Sequence, residues 1–438
     1  MRWPTRRSLH GGRRRLARIP WPEPRRPLAR DRLAPGLARG RAQCPLDGEE
    51  PRPRLGHPID RRRRHLRHRH PRRKGRRLAL KQADGSELWF TPFADKAGDV
   101  LTQTNGPAST PTVHNSKLYT VSADGTLSCL NAKDGKQVWS KNYQKDFGGA
   151  PGGKAGVAWG YSDSVLADGD KIICIPGAKG AAVAALKADT GETVWKTDAG
   201  AIGSAEKKGF AGQGYSSPIK STIGGVPQYI ALLGSGSGIV GVSADSGEVL
   251  WQYKGTAATG GVAQIPIPIV KDDKVWVSCS YAGGSALIQI VKGTSGDFEV
   301  KELKAYKKPE LNNHHGGMVL VGEYIYFGHD QNGGSPVCVD FKTGEIKWGP
   351  DKSPAGGQKS AAVLYADGRL YFRYENGVMV LIEPSPEELK VVSSFKLPAA
   401  DQKSYPQSWP HPVIVDGKLY IRDQTVMYCY DVSMKPGK

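Results

Sequence analysis

Polar and aromatic side chains stand just ahead of short apolar runs all along this chain: Thr110, Tyr161, Tyr215, Gln264, His314 with His315, Lys359 and His411. Gathered at one opening, Tyr, His, Gln and Lys make an aromatic-walled polar funnel suited to a small polar ligand or a peptide. Left apart, they are merely solvated groups. Trp159, Tyr161 and Asp163 in WGYSDS, and His411, Arg422 and Asp423 near the C-terminus, add aromatic and charged contacts. Arg422 and Asp423 read equally well as a structural ion pair. Adjacent histidines on a strand point to opposite faces, so His314 and His315 in NNHHGG are expected to hydrogen-bond rather than to share a metal. The GSGSG run at 234–238 has no helix after it and reads as a turn, not a phosphate loop.

Repetition is what could bring these residues together. ALKADTGETVW at 185–195 recurs as ALKQADGSELW at 79–89, CLNAKDGKQVW at 129–139, GVSADSGEVLW at 241–251 and CVDFKTGEIKW at 338–348. Trp89, Trp139, Trp195 and Trp251 are 50, 56 and 56 residues apart, and the 97 residues to Trp348 leave room for a degenerate copy. A period near fifty is one supersecondary unit per repeat, the size of a propeller blade. Asp-Gly and Asn-Gly turns between β-rich runs, as in KLYTVSADGTLSCLNAKDGKQVW, predict successive antiparallel hairpins, and helical periodicity is missing. An indole at a fixed outer-strand position can pack on the neighbouring unit.

Units are expected at 78–90, 109–143, 161–198, 215–254, 265–303, 314–350, 359–396 and 409–432. The first holds only its last two strands and the last lacks its final one. The fold class is therefore all-β, a β-propeller of four-stranded antiparallel blades, eight in number with seven as the alternative. Equivalent positions in successive blades form a ring at one height, which puts the polar set at one mouth of the central channel. The longest insertions, 147–157 and 199–214, are where binding residues tend to sit.

The repeated tryptophan sentence resembles the tryptophan-docking motif of quinoprotein (pyrroloquinoline quinone, PQQ) alcohol-dehydrogenase-like propellers, a superfamily that includes the BamB-like assembly factors. WGYSDSVLADGD, NNHHGGMVLVGEYIYF and SWPHPVIVDGKLYIRDQ are similar to PQQ-like propellers of planctomycete type, BamB-like or polyvinyl-alcohol-dehydrogenase-like. The resemblance spans roughly Leu78 to Val432 and implies an exported, periplasmic or secreted protein. It offers two functions: a non-catalytic binding or scaffold module, or a PQQ- and Ca²⁺-dependent dehydrogenase acting on an alcohol or sugar. The second needs an arginine at the quinone oxygens, a carboxylate base and acidic or amide ligands for Ca²⁺. Its candidates Asp163, Asp330, Asp423, Arg373 and Arg422 are scattered and match no catalytic motif of the family. The expectation is accordingly a monomeric binding module with no cofactor, with PQQ and Ca²⁺ belonging only to the alternative.

A formal net charge of +20 ordinarily points to nucleic acid or an anionic membrane. Residues 1–77 carry all of it, with 25 Arg and one Lys against six acidic residues, while the remaining 361 residues hold 36 basic and 36 acidic side chains. The propeller is formally neutral, so no nucleic-acid partner is expected. The basic segment has no Val, Phe, Tyr or Asn, hence no core-forming strand, and reads either as a disordered tail or as translation out of frame. Asp60–Arg73, DRRRRHLRHRHPRR, has synonymous codons that one base later read IADGDIYVTGIRDG, directly comparable with LADGDKIICIPGAKG at 166–180. RIPWPEPRR at 18–26 and GRAQCPLDGEEPR at 40–52 yield GFPGPNRDG and EGPNALWTAKNLG under the same shift. The organisation expected is thus 1–77 out of frame, 78–432 propeller and 433–438 tail, and HLRHRH at 65–70 is no metal tract. No apolar run approaches the roughly 20 residues of a membrane span, and no secretory h-region follows Met1. Cys129, Cys338 and Cys429 occupy matching places in different blades, too far apart to bridge, and are expected to be buried small hydrophobes.

Overall fold

The computed structural model describes residues 42–43, 75–93, 109–151, 160–202, 212–234, 236–256, 264–281, 283–307, 309–398, 408–423 and 426–433. Among these, seven four-stranded antiparallel sheets and one two-stranded sheet form, and in six of the seven the strands follow one another in chain order. The first runs Thr112–His114, Lys117–Val121, Thr126–Asn131 and Gln137–Asn142. The next five run from Leu166–Asp168 to Thr193–Lys196, Ile219–Ile223 to Val249–Tyr253, Ile269–Lys271 to Phe298–Lys307, Met318–Val321 to Ile346–Trp348, and Ala361–Ala366 to Lys390–Lys396.

Sequence pattern follows depth within the blade. Middle strands such as Ala184–Lys187 and Val378–Glu383 are nearly continuous apolar runs because both faces are covered by neighbouring blades. In the outer strand Gln137–Asn142 only Trp139 is buried. Apolar clusters join each pair of successive four-stranded blades, so stability is built from nearest-neighbour interfaces.

Two recurring contacts hold one blade on the next. Indole Nε1 donates to a carbonyl in the following repeat, from Trp89 to Ala132 (3.1 Å), Trp139 to Ala188 (2.9 Å), Trp195 to Ala244 (3.3 Å) and Trp348 to Ser385 (2.7 Å). Trp251 instead donates to Gln228 Oε1 of its own blade. A lysine opening the second strand reaches the outer turn of the following repeat, as Lys171 does to Ala244 O (3.3 Å) and Lys274 to Lys342 O (2.9 Å). The outer turn carries a glycine for two reasons. At Gly247 φ is +76°, and a Cβ there would lie 2.3 Å from Trp195 Cε3, so the indole lies flat on the turn.

The same two contacts place the two-stranded sheet, Gly75–Leu80 with Glu87–Phe93, between the last blade and the first. Lys418 Nζ donates to Gln82 O (3.3 Å) on one side, and Trp89 reaches Ala132 on the other. Among the described residues seven blades, the smaller of the two counts expected, are four-stranded, and the first unit contributes an outer pair of strands alone. The last blade, Val413–Val415, Lys418–Asp423 and Val426–Asp431, gains a fourth strand that the sequence reading left out: Ala42–Gln43 pairs antiparallel with Val426–Met427. The first unit also starts at Gly75 rather than at Leu78.

Two further expectations change. A five-residue helix, Tyr143–Phe147, interrupts the all-β chain where the Asn142 side chain accepts from the Gln144 and Lys145 amides. Cys129 and Cys338 are buried as expected, whereas Cys429 is exposed, since it lies on the last blade's Val426–Asp431 strand with its side chain turned outward. No helix among the described residues is long and apolar enough to cross a membrane.

Candidate functional site

The residues at the starts of the inner strands divide into two arcs. In one, hydroxyls bridge successive blades around the axis: Ser164 Oγ accepts from Thr110 N (2.8 Å), and Ser217 Oγ accepts from Ser164 N (2.9 Å). Tyr161 is buried there, its ring edge-on to Tyr143 at 5.1 Å, and so belongs to the core between blades. Asp163 is fully buried beside it, accepting from Gln213 Nε2, from Tyr143 Oη (3.2 Å) and from Ile175 N (3.4 Å). Burial pushes its carboxyl up to about 7, against the pull of those donors. Tyr215 and Gln264 form a buried joint, the amide of the first donating to the carbonyl of the second at 2.8 Å. Trp159 lies outside the described residues.

The other arc, made by the fifth to seventh four-stranded blades, is where polar side chains converge. Residues 312–317 form no strand, which lets neighbouring histidines turn the same way. The His314 and His315 rings lie 4.5 Å apart, contrary to the opposite faces expected of a strand. His315 also packs on Trp409 at 4.8 Å, and His314 meets Tyr281 edge-on at 5.2 Å. His314 Nδ1 lies 3.2 Å from Ser360 Oγ. His411 Nε2 donates to His315 O (2.9 Å), and His411 stays exposed. Gly317 makes room for that ring, because a Cβ on it would lie 2.8 Å from His411 Cε1.

Behind the rings lie two charged groups that the sequence did not single out together. Arg373 is completely buried and donates to Asp423 Oδ1 (3.2 Å), to the carbonyls of Ser408, Pro410 and Arg422, and to Ser408 Oγ. The ion pair is therefore Arg373 with Asp423, while Arg422 contributes its carbonyl. Burial lowers the guanidinium to about 10, with Asp423 and Glu375 opposing the shift. Glu375, also buried, sits with Oε1 3.4 Å from His315 Nε2. Desolvation raises its carboxyl, and the nearby Lys359 ammonium pulls the other way. Lys359 is exposed, on a left-handed backbone of φ +61°. Burial, then the charges of His411 and Arg373, lower His315 to about 3, so its ring is neutral at ordinary pH.

Neither ring nitrogen of His315, nor Glu375 Oε2, has a hydrogen-bond partner among the described residues. Glu375 and Trp409 were missed in the sequence because RYENG and SWPHP carry no spacing signal of their own. Only their blades, at the same end of the channel, place them together. The described residues hold no group of three or more His, Cys, Asp or Glu side chains able to bind a metal ion.

The chain shares its overall shape with several solved propellers. BamB from Moraxella catarrhalis is 16% identical with a TM-score of 0.51, over 82% of this chain and 92% of that one. A europium-containing methanol dehydrogenase is 14% identical with a TM-score of 0.52, over 80% and 78%. The quinohemoprotein alcohol dehydrogenase from Comamonas testosteroni is 14% identical with a TM-score of 0.51, over 84% and 72%. At such identities the likeness speaks for the fold alone. No curated protein sequence matches the chain. The family described as outer membrane protein assembly factor BamB matches residues 73–349, well over half of the sequence. With its tryptophan-bearing repeats, its four-stranded blades and that match, the chain belongs to the BamB-type PQQ-like β-propeller family.

Proposed function

We propose that this protein is a monomeric, extracytoplasmic binding or scaffold module that takes a small polar ligand or a peptide at its channel mouth, without catalysing a reaction. The observation that carries the proposal is the pair His315 and Glu375, which has three buried atoms without a hydrogen bond among the described residues and stands next to the exposed Lys359 and His411. Leaving one such atom unpaired costs about 1–3 kcal/mol. A guest with adjacent donors and acceptors, such as vicinal hydroxyls or a peptide amide, would satisfy all three and lie against Trp409. The extracytoplasmic setting follows the family, whose description is that of an outer membrane protein assembly factor.

Quinone-dependent oxidation fits the site less well. Arg373, whose charge acts on His315, is already engaged by Asp423, Ser408 and three carbonyls. The described residues also bring no three acidic side chains together for Ca²⁺.

Calorimetric titration with glucose, with triglycine and with PQQ plus Ca²⁺, each repeated on Glu375→Gln and followed by dye-linked alcohol oxidation, tests the proposal. Saturable binding of glucose or triglycine, weakened about tenfold in the variant and without turnover, is the expected result. Saturable PQQ binding with turnover would replace the proposal by the dehydrogenase.

A further inference from the structure

The two-stranded unit leaves an apolar slot at the channel wall. Thr112 Oγ1 and His114 Nε2 both contact the second blade, at Val165 O (2.7 Å) and Gly169 O (2.8 Å). Side chains alternate along a strand, so Val113 between them faces the opposite way, toward the two-stranded unit. On the other side Ile414 packs into the cluster shared with the sixth blade, which turns Val413 and Val415 toward the same unit. These three valines are 68%, 53% and 43% exposed. At the place of Val113 in the second and fourth blades, Ala167 and Val270 are packed into clusters with the preceding blade. The slot's back wall is the free edge of Gly75–Leu80, unpaired among the described residues.

Chain length says what belongs there. In five of the seven blades the chain uses 27 to 32 residues between the preceding outer strand and the blade's third strand, and that stretch makes the two inner strands. Between Gln43, on the outer edge of the last blade, and Gly75 there are 31. One register position shows which sequence is wrong for the task. Two residues before the strand partners of Trp139, Trp195 and Trp251 stand Leu127, Val183 and Ile239, all fully buried and apolar, and before that of Trp348 stands Pro336. In the two-stranded unit that place holds Arg77, 5% exposed and held by Thr120 and Ser128 hydroxyls. Arginine is almost never buried at a repeated apolar position. A CGN arginine codon followed by a leucine CTN codon reads GNC one base later, which encodes Val, Ala, Gly or Asp.

We infer that the slot between Val113 and Val413 is the seat of an inner two-stranded hairpin from this chain's own segment 44–74, in a sequence that synonymous codons for it permit when read one base later. The occupant is IADGDIYVTGIRDG in place of Asp60–Arg73, with the pattern of the second blade's inner strands Leu166–Asp168 and Lys171–Cys174. Its Ile, Tyr and Val would cover the three exposed valines, and its backbone would pair with the edge of Gly75–Leu80. The Arg-rich sequence in the printed frame would bring unpaired charge against the same apolar walls.

Two measurements test this. Sequencing the gene through codon 78 is expected to reveal an inserted or missing base near codons 73–78. In parallel, Val113→Cys and, on the facing wall, Val415→Cys are made in a Cys44→Ser, Cys429→Ser background, both in the printed chain and in the reframed one, where the Cys44 codon is already lost. Thiol labelling is expected to be fast in the printed chain and at least tenfold slower in the reframed chain at both positions. An uninterrupted reading frame overturns the inference, and so does equal labelling of the two chains.

Discussion

Replacing Asp163 by Asn should change how stability depends on pH, with a sign and size fixed by the surroundings of the carboxyl. Asp163 is fully buried, and burial raises it from an ordinary 3.8 to about 7. A folded-state value above the unfolded one means that the native protein holds a proton the unfolded chain has released. Its stabilising contribution is then complete below pH 4 and is lost as pH rises toward 7. About three pH units at roughly 1.4 kcal/mol each set a ceiling near 4 kcal/mol. Asn cannot ionise, and its Nδ2 can donate to Gln213 Oε1, which has no hydrogen-bond partner among the described residues. The groups packed around it do not titrate in this window, because burial raises Tyr143, Tyr161 and Cys174 as well. Urea unfolding of both proteins from pH 4 to 8 should give nearly equal stabilities at the acid end. The variant should then pull ahead by up to about 4 kcal/mol by pH 8. Parallel stability curves for the two proteins would refute the reasoning, since every other titrating group is shared.

Gly247→Ala should cost more than Gly225→Ala although both residues have φ +76°, because only the first would drive a methyl onto an indole, at 2.3 Å, while the second meets nothing within 4 Å. Thermal unfolding should separate them, at about 1–2 kcal/mol for the backbone alone and a further 1–3 for the overlap. Trp195→Ala removes both that stack and the bond to Ala244 and should cost about 3–5 kcal/mol in a denaturant titration. Arg373→Met strands Asp423 without its countercharge and should cost a similar 3–5 kcal/mol, of which Arg373→Met with Asp423→Leu should restore only part, because the Ser408, Pro410 and Arg422 carbonyls stay without a donor.

The propeller was legible because its determinants are local and repeated. Trp89, Trp139, Trp195 and Trp251 mark a period, and Gly135, Gly191 and Gly247 mark the turns on which indoles lie. The blade count was not legible to the last unit, since it depends on what pairs with the edge of Gly75–Leu80 and of Val426–Asp431, and pairing between sequence-distant strands leaves no local mark. The candidate site was half legible. His314, His315, Lys359 and His411 stand out by type and by position ahead of inner strands. Tyr161 and Asp163 share that position yet turn into the core, because the helix Tyr143–Phe147 supplies a ring and a hydroxyl for them to meet. Glu375 and Trp409 come from different repeats and become neighbours of His315 only once the ring forms.

That contrast bears on function. A repeat scaffold offers the same solution at every interface, and this chain uses the simple one, hydroxyls bridging Thr110, Ser164 and Ser217 in series. Had packing been the only demand, the fifth to seventh blades could have used it too. Instead they bury two carboxylates, a guanidinium and two imidazoles, and leave three polar atoms of His315 and Glu375 without a hydrogen bond at about 1–3 kcal/mol each. Arg373, through its two terminal nitrogens, and Asp423 are held by each other and by Ser408, so they serve to hold the wall rather than to bind a guest. Unpartnered buried atoms occur elsewhere too, as on Gln213 and Asn312, but on His315 and Glu375 they belong to two ionisable groups in contact with each other, which is the arrangement expected where the missing hydrogen-bond partners arrive from outside the protein.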